Sequence, residues 1–548
     1  MSASTHDRSP RWCRTALALL MAGVLAAWPA RAGAGADGDA APSPRCGTPE
    51  RVLRAVRAPR PPVSLAAAGG KITRDGFPGE RQVLESTNFA AWWSDPQIDR
   101  EQARAALDGL EEAWALYIDT LGHRVPPGAE QHRVNLYIST GFDIPSPQWS
   151  GAYADLDGEG YAYMVINGRF VADWLLQPQV RHMLAHEFHH DIQFGTGAFR
   201  TADALWYWEA SAEWAAQALY PDSRLSYTHV GAYALATEYP VFFRGDPDHV
   251  SFLDVHHYGA SIFLRHLSDR FDMPALVRDT WESAGAEDDP MTALEDMLPD
   301  GTIADAFHEF APRMALWDFP GRDLILSQVD ASAIAYGDRD RFAVRVGPDG
   351  TGGWIRVPDD RQLRAFGASI IQVARPAGGE LRVAVDFDQV GTLGSTFQPR
   401  VTIVRETADG IRYSDLRRGR RGAAARIRIP EEESEAYVVV AATSERHSTD
   451  QAFPYRLSIQ PGHAPDPLQP IDTAASEPTT DDGASDDGAD DGANDGADDG
   501  GAGGGGGKGV RHHVGGCAAG GSRGGGPGAA LGLVLVALAA RRSRRSPR

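Results

Sequence analysis

The chain is 548 residues long with a formal net charge of -21 and a 42% hydrophobic composition, room for about three domains with real cores. The acidic balance excludes nucleic acid as a partner, since phosphates would be repelled, although much of the acid lies in one tail and leaves the substrate open. The three cysteines, Cys13, Cys46 and Cys517, all lie outside the central region, which excludes a disulfide framework or thiolate metal site there.

Arg11 and Arg14 precede an apolar run from Ala16 to Ala27 and then Ala30-Arg31-Ala32. A basic start, a short apolar core and a small-x-small end predict a secretory signal peptide over residues 1–32. Residues 33–77, rich in Ala, Pro, Gly and Arg, read as a mostly disordered leader or propeptide. A catalytic-type domain is expected over 78–325. Val83, Phe89, Trp92 and Trp93 suggest a strand within Gln82 to Trp93. Ala103, Ala106, Leu107, Leu110, Ala113, Trp114, Tyr117 and Leu121 form one stripe at helical spacing, predicting a helix from Ile98 to Leu121. Arg133 to Ser139 alternates as a strand. Gly151 to Leu156 and Tyr161 to Asn167 flank Asp157-Gly158-Glu159-Gly160, a hairpin signal. Asp155, Asp157 and Glu159 suit either turn chemistry or calcium.

The next stretch carries the chemistry. His186-Glu187-Phe188-His189-His190 is H-E-x-x-H, and on a helix His186 and His190 leave one face a turn apart. Two imidazoles at that spacing suit zinc, and Glu187 lies beside them as a proton acceptor for a water. Leu184, Phe188, Ile192 and Phe194 supply apolar surface for burial. Eighteen residues after His190 comes Glu209, in a second predicted helix that Asp203 would cap and that runs to Leu219. Glu213, four residues on, shares a face with Glu209.

H-E-x-x-H followed by eighteen residues and a helical Glu resembles the gluzincin zinc peptidases. The resemblance implies His186, His190 and Glu209 as zinc ligands, Glu187 as catalytic base and Glu213 as a carboxylate orienting a ligand histidine. It further implies a sheet whose edge strand pairs with extended substrate, for which Tyr161 to Asn167 is the candidate and an interior place the alternative. A downstream Tyr or His is expected to donate to the developing oxyanion, with Tyr258 the first choice and His257 the second. The runs His186 to Gln193, Trp208 to Trp214 and Tyr258 to Phe263 also resemble a group of secreted myxobacterial metalloproteases, over about Phe89 to Phe310. His182, His189 and His266 read as structural or exposed.

Beyond Glu209 helices are predicted for Val255 to Phe271, Thr292 to Leu298 and Ile303 to Trp317. From about Arg341 the period becomes two, and seven or so short strands between Phe342 and Ile459 predict a β-sandwich over 335–462. Residues 463–514 form a disordered linker rich in Asp and Gly. Residues 515–548 hold Gly515-Gly516-Cys517, an apolar segment from Ala529 to Ala540 and an arginine cluster. They resemble a myxobacterial-type C-terminal sorting signal, which implies processing near Cys517 and membrane anchoring there; a plain tail-anchor is the alternative.

The expected architecture is therefore an α+β zincin-like catalytic domain followed by an all-β sandwich. The expected activity is zinc-dependent hydrolysis of peptide or protein substrate at the cell surface or outer membrane, or after release, with endopeptidase action favoured. Oligomeric state is left open. The rival readings are a surface adhesion protein with a vestigial zinc site, or a zinc hydrolase with a non-protein substrate.

Overall fold

Asp99 opens the first long helix because its carboxylate accepts from the backbone N–H of Glu101 and Gln102, both at 2.8 Å, while Gln102 returns a bond to the Asp99 N–H at 2.9 Å. In the computed structural model this helix, α1, spans Arg100–Trp114, and its stripe of Ala103, Ala106, Leu107, Leu110 and Ala113 is buried. The last predicted turn is instead a π-helix, Ala115–Thr120, which carries Tyr117 into the core. The structure describes residues 70–462, apart from short internal stretches of which the longest are 140–150, 336–343 and 388–397. The signal peptide, residues 33–69 of the leader, the acidic linker and the sorting signal lie outside the described residues.

The region before the metal-type helix is a mixed sheet of β1 (Gln82–Glu85), β2 (Phe89–Trp93), β3 (Val134–Ser139), β4 (Ala152–Leu156) and β5 (Ala162–Asn167). Their order is β1-β2-β3-β5-β4, with β2, β3 and β5 parallel and the outer two strands antiparallel to their neighbours. The single strand expected over Gln82 to Trp93 is thus a hairpin. The edge assignment is corrected too. β5 pairs with β3 on one side and β4 on the other, and among the described residues β4 is the edge strand on that side. An unbroken apolar run, Ala-Tyr-Met-Val-Ile, suits a strand covered on both faces. The β4–β5 turn is held by Asp157, whose carboxylate accepts from the N–H of Glu159 at 2.9 Å and Tyr161 at 3.0 Å and pairs with Arg74. Turn chemistry therefore accounts for Asp157.

Residues 70–77, read above as leader, belong to the folded body. Ile72 bridges to His132, and the Phe77 ring lies 4.5 Å from Tyr137 and 5.3 Å from Tyr163 on the sheet face away from the core helices.

After α2 (Gly168–Ala172), the H-E-x-x-H segment forms α3, Gln177–Thr196, closed by Gly197 at φ 75°. Phe188 locks α3 to α1 and the sheet, with Trp114 of α1 at 5.7 Å, Tyr117 of the π-helix at 6.0 Å and Phe89 of β2 edge-on at 5.1 Å. Next comes α4, Leu205–Leu219. Asp203 does not cap it; a 3-10 turn, Ala202–Ala204, intervenes and leaves Asp203 exposed. The following helices are α5 (Arg224–Ala234), α6 (His256–Gly259), α7 (Ser261–Phe271) and α8 (Leu276–Ser283). The predicted helix Val255 to Phe271 is broken at Ala260. Gly259 is needed there, because a Cβ would stand 2.5 Å from the His229 carbonyl oxygen of α5. Helices Pro290–Met297, Ile303–Arg313 and Arg322–Ala335 complete this part. None of the described helices is long and apolar enough to cross a membrane.

The C-terminal part is strand-rich and sandwich-like. One sheet orders Gly422–Arg428, Glu380–Asp386, Arg456–Gly462 and Trp354–Arg356; the other is centred on Gln398–Thr407, Glu435–Thr443 and Gly367–Ala374. Leu381, Val383, Ile403 and Val440 share one buried cluster with the helical region, so the whole is a mixed α+β body. Residues 237–241 run against 364–368 through Arg364 N–H to Glu238 O at 3.0 Å, Ala368 N–H to Thr237 O at 2.7 Å and Val241 N–H to Phe366 O at 2.9 Å. A buried Arg361–Glu238 pair at 2.9 Å reinforces the seam.

Phe188 is fully buried among three aromatic rings, so Phe188→Ala leaves a cavity in a rigid wall. It should cost about 3–5 kcal/mol of stability in denaturant unfolding. A loss below about 1 kcal/mol would mean that α3 is not held by this cluster.

Candidate metal centre

Helices α3 and α4 lie against each other, and their touching faces carry the polar residues. His186 Nε2 and His190 Nε2 stand 3.1 Å apart. Glu209 Oε2 is 3.2 Å from His186 Nε2 and 3.5 Å from His190 Nε2. A tetrahedral ion with bonds of about 2.0–2.1 Å spaces its ligand atoms ~3.3–3.4 Å apart, so the three atoms form one face of such a tetrahedron. All three residues are buried, and Glu209 Oε1 has no partner among the described residues. Two imidazoles and one carboxylate are the donor set zinc takes at hydrolytic sites, and the residues present fit it.

The surrounding groups orient these side chains. Glu213 lies one turn after Glu209, its Oε2 3.2 Å from His186 Nδ1 in a bent contact. Its Oε1 accepts from Ser226 Oγ at 2.6 Å and lies 3.0 Å from His182 Nε2 and 3.5 Å from His229 Nδ1. His190 Nδ1 lies 2.6 Å from Gln193 Oε1. Burial would lower the His186 pKa, but the carboxylates of Glu209 and Glu213 outweigh it and raise the group to about 10. Burial would likewise raise Glu209 and Glu213; the facing imidazoles hold both below the usual carboxylate range.

Glu187 is buried beside His186 on α3. The Tyr258 ring of α6 lies 5.8 Å from the His186 ring and stacks on His229 at 4.7 Å, with His257 next to it at 4.4 Å.

A model for a family of unknown function, DUF6055, matches residues 81–463, spanning both the helical and the strand-rich parts. The chain belongs to this family. No curated protein matches it. One similar solved structure is titled "CorA is a surface-associated copper-binding protein important in Methylomicrobium album BG8 copper acquisition". The likeness covers 22% of this chain and 98% of that one, at 8% identity and a TM-score of 0.17, and carries no argument about fold.

In this DUF6055 chain the sequence motif brings together His186, His190, Glu209 and Glu187, with Tyr258 alongside. Sequence reasoning missed Gln193, Ser226 and His229. Gln193 had a legible signal, its place one turn beyond His190; Ser226 and His229 reach Glu213 only through the packing of α5. His182, read as structural, is tied to Glu213. His189 flanks the His186–His190 pair, its Nδ1 3.0 Å from Gln193 Nε2 and its ring edge-on to His123 at 5.3 Å and to Tyr117 at 5.8 Å.

Two histidines away from the centre set a pH dependence. Burial lowers His123 to about 4, against the opposing pull of Glu282, and lowers His266 to about 4 with Arg313 adding to the effect. Both are depressed below the ordinary 6.5, so the unfolded chain binds their protons first as pH falls. Their contribution to stability is full above pH 6.5 and is lost towards pH 4, on the order of 3 kcal/mol per group. Unfolding free energy measured at steps from pH 7 to 4 should therefore fall less steeply in His266→Phe than in the parent chain. Parallel curves would refute the assignment.

Proposed function

We propose that the protein is a zinc-dependent peptidase of gluzincin type, exported and held at the cell surface through its C-terminal region. One observation carries the reading: His186 Nε2 and His190 Nε2 of α3, the helix that also bears Glu187, converge with Glu209 Oε2 of α4 at 3.1, 3.2 and 3.5 Å. A zinc ion bound by these residues would supply Lewis acidity, lowering the pKa of a water and polarising a carbonyl. Glu187 takes the proton from the attacking water on its carboxylate and delivers it to the leaving amine. Tyr258, whose ring lies 5.8 Å from that of His186, is the donor assigned to the developing oxyanion, and Glu213 keeps His186 oriented. β4, one of the two outer strands of this sheet and the one packed on α3, is suited to align an extended chain by strand addition. Peptide or protein is the substrate class this arrangement favours.

The full chain should carry one zinc and cleave casein in a chelator-sensitive way. Glu187→Gln should keep the zinc and lose at least about a hundredfold in turnover, the scale of general-base catalysis. His186→Ala should lose both. Undiminished cleavage in Glu187→Gln would remove the peptidase reading, and zinc bound equally well by His186→Ala would remove the ligand assignment.

A further inference from the structure

Gln193 bridges the two helices that supply the ligands. Its Nε2 lies 3.0 Å from the Trp208 carbonyl oxygen, 2.9 Å from Ser211 Oγ and 3.0 Å from His189 Nδ1, and its Oε1 lies 2.6 Å from His190 Nδ1. The orientation of this amide is forced. A carbonyl oxygen only accepts, so the atom facing Trp208 O must be the nitrogen. Ser211 agrees: its hydroxyl donates to Tyr207 O at 2.5 Å, and it receives the indole N–H of Trp281 at 3.0 Å. That leaves Ser211 a lone pair for a second donor, which the Gln193 amide supplies. Turned over, the amide would set oxygen against oxygen at both places in a site with no exposure.

With the nitrogen so placed, Gln193 Oε1 must face His190 and can only accept. His190 then carries a proton on Nδ1 and presents the Nε2 lone pair to Glu209 and His186. We propose that Gln193 is a positioning residue of the metal centre: anchored to Trp208 and Ser211, it fixes the His190 tautomer that a metal requires. Because Trp208 directly precedes Glu209, the same amide also holds α4 in register with α3. The inference rests on the metal-site reading but not on peptidase activity.

Two substitutions separate this role from packing. Gln193→Met keeps the shape and removes the acceptor; Gln193→Glu keeps the acceptor and loses the donation to Trp208. Zinc affinity of the full-length chains, measured by competition with a chromophoric chelator, should fall about 10–100-fold in Gln193→Met. In Gln193→Glu it should stay close to the parent value even though thermal stability drops. Side-chain 15N spectra of the metal-free chains, with His190 assigned as the signal missing from His190→Asn, should place the proton on Nδ1 in the parent and in Gln193→Glu. In Gln193→Met it should move to Nε2. Parent-like zinc affinity in Gln193→Met, or an Nε2 proton in the parent itself, would overturn the proposal. A parent chain that binds no zinc would defeat the proposed function, while its metal-free spectrum would still decide the tautomer.

Discussion

Two carboxylates and a set of imidazoles buried between α3 and α4 are the constraint on which the rest of this structure depends. Ionised groups removed from water destabilise a fold by several kcal/mol each unless they are paired. Here Glu209 faces His186 and His190, and Glu213 faces His182, His186, His229 and Ser226. The pairing works only if the two helices keep one rotation and one register. A shift of one residue would turn Glu209 away and leave its charge alone in an apolar wall.

The shell around the centre can be understood as what enforces that register. Phe188, on the opposite side of α3 from His186 and His190, is held by Trp114, Tyr117 and Phe89, so α3 cannot rotate without opening the core. The aromatic layer of Phe199, Tyr207, Trp208 and Trp281 does the same for α4, with ring separations of 4.9 to 5.6 Å. Gly259 lets α6 approach the backbone of α5, which brings Tyr258 over His229 and beside His186.

The strand-rich part belongs to the same physical unit. Its seam with the helical part is made of backbone bonds between 237–241 and 364–368 and a buried ion pair, and the family match runs across it. Contacts of that kind resemble the interior of one body more than a joint between independent modules. The sandwich-like sheets thus help to hold the chain segment that follows α5.

Local pattern in the sequence determined a good deal. The stripe of α1, the Asp157 turn, the spacing of His186, His190 and Glu209 and the alternation beyond residue 341 depend on contacts a few residues apart or on the period of one element, and these can be read along a chain. What only tertiary structure decided has a different origin. The outer place of β4, the break at Ala260, the attachment of residues 70–77 and the reach of Ser226 and His229 to Glu213 follow from neighbours distant in sequence. Gln193 stands between the two. Its position beside His190 is written in helical periodicity, but the direction of its amide is set by Trp208 and by the hydroxyl of Ser211, which only the packing of α4 on α3 brings to it.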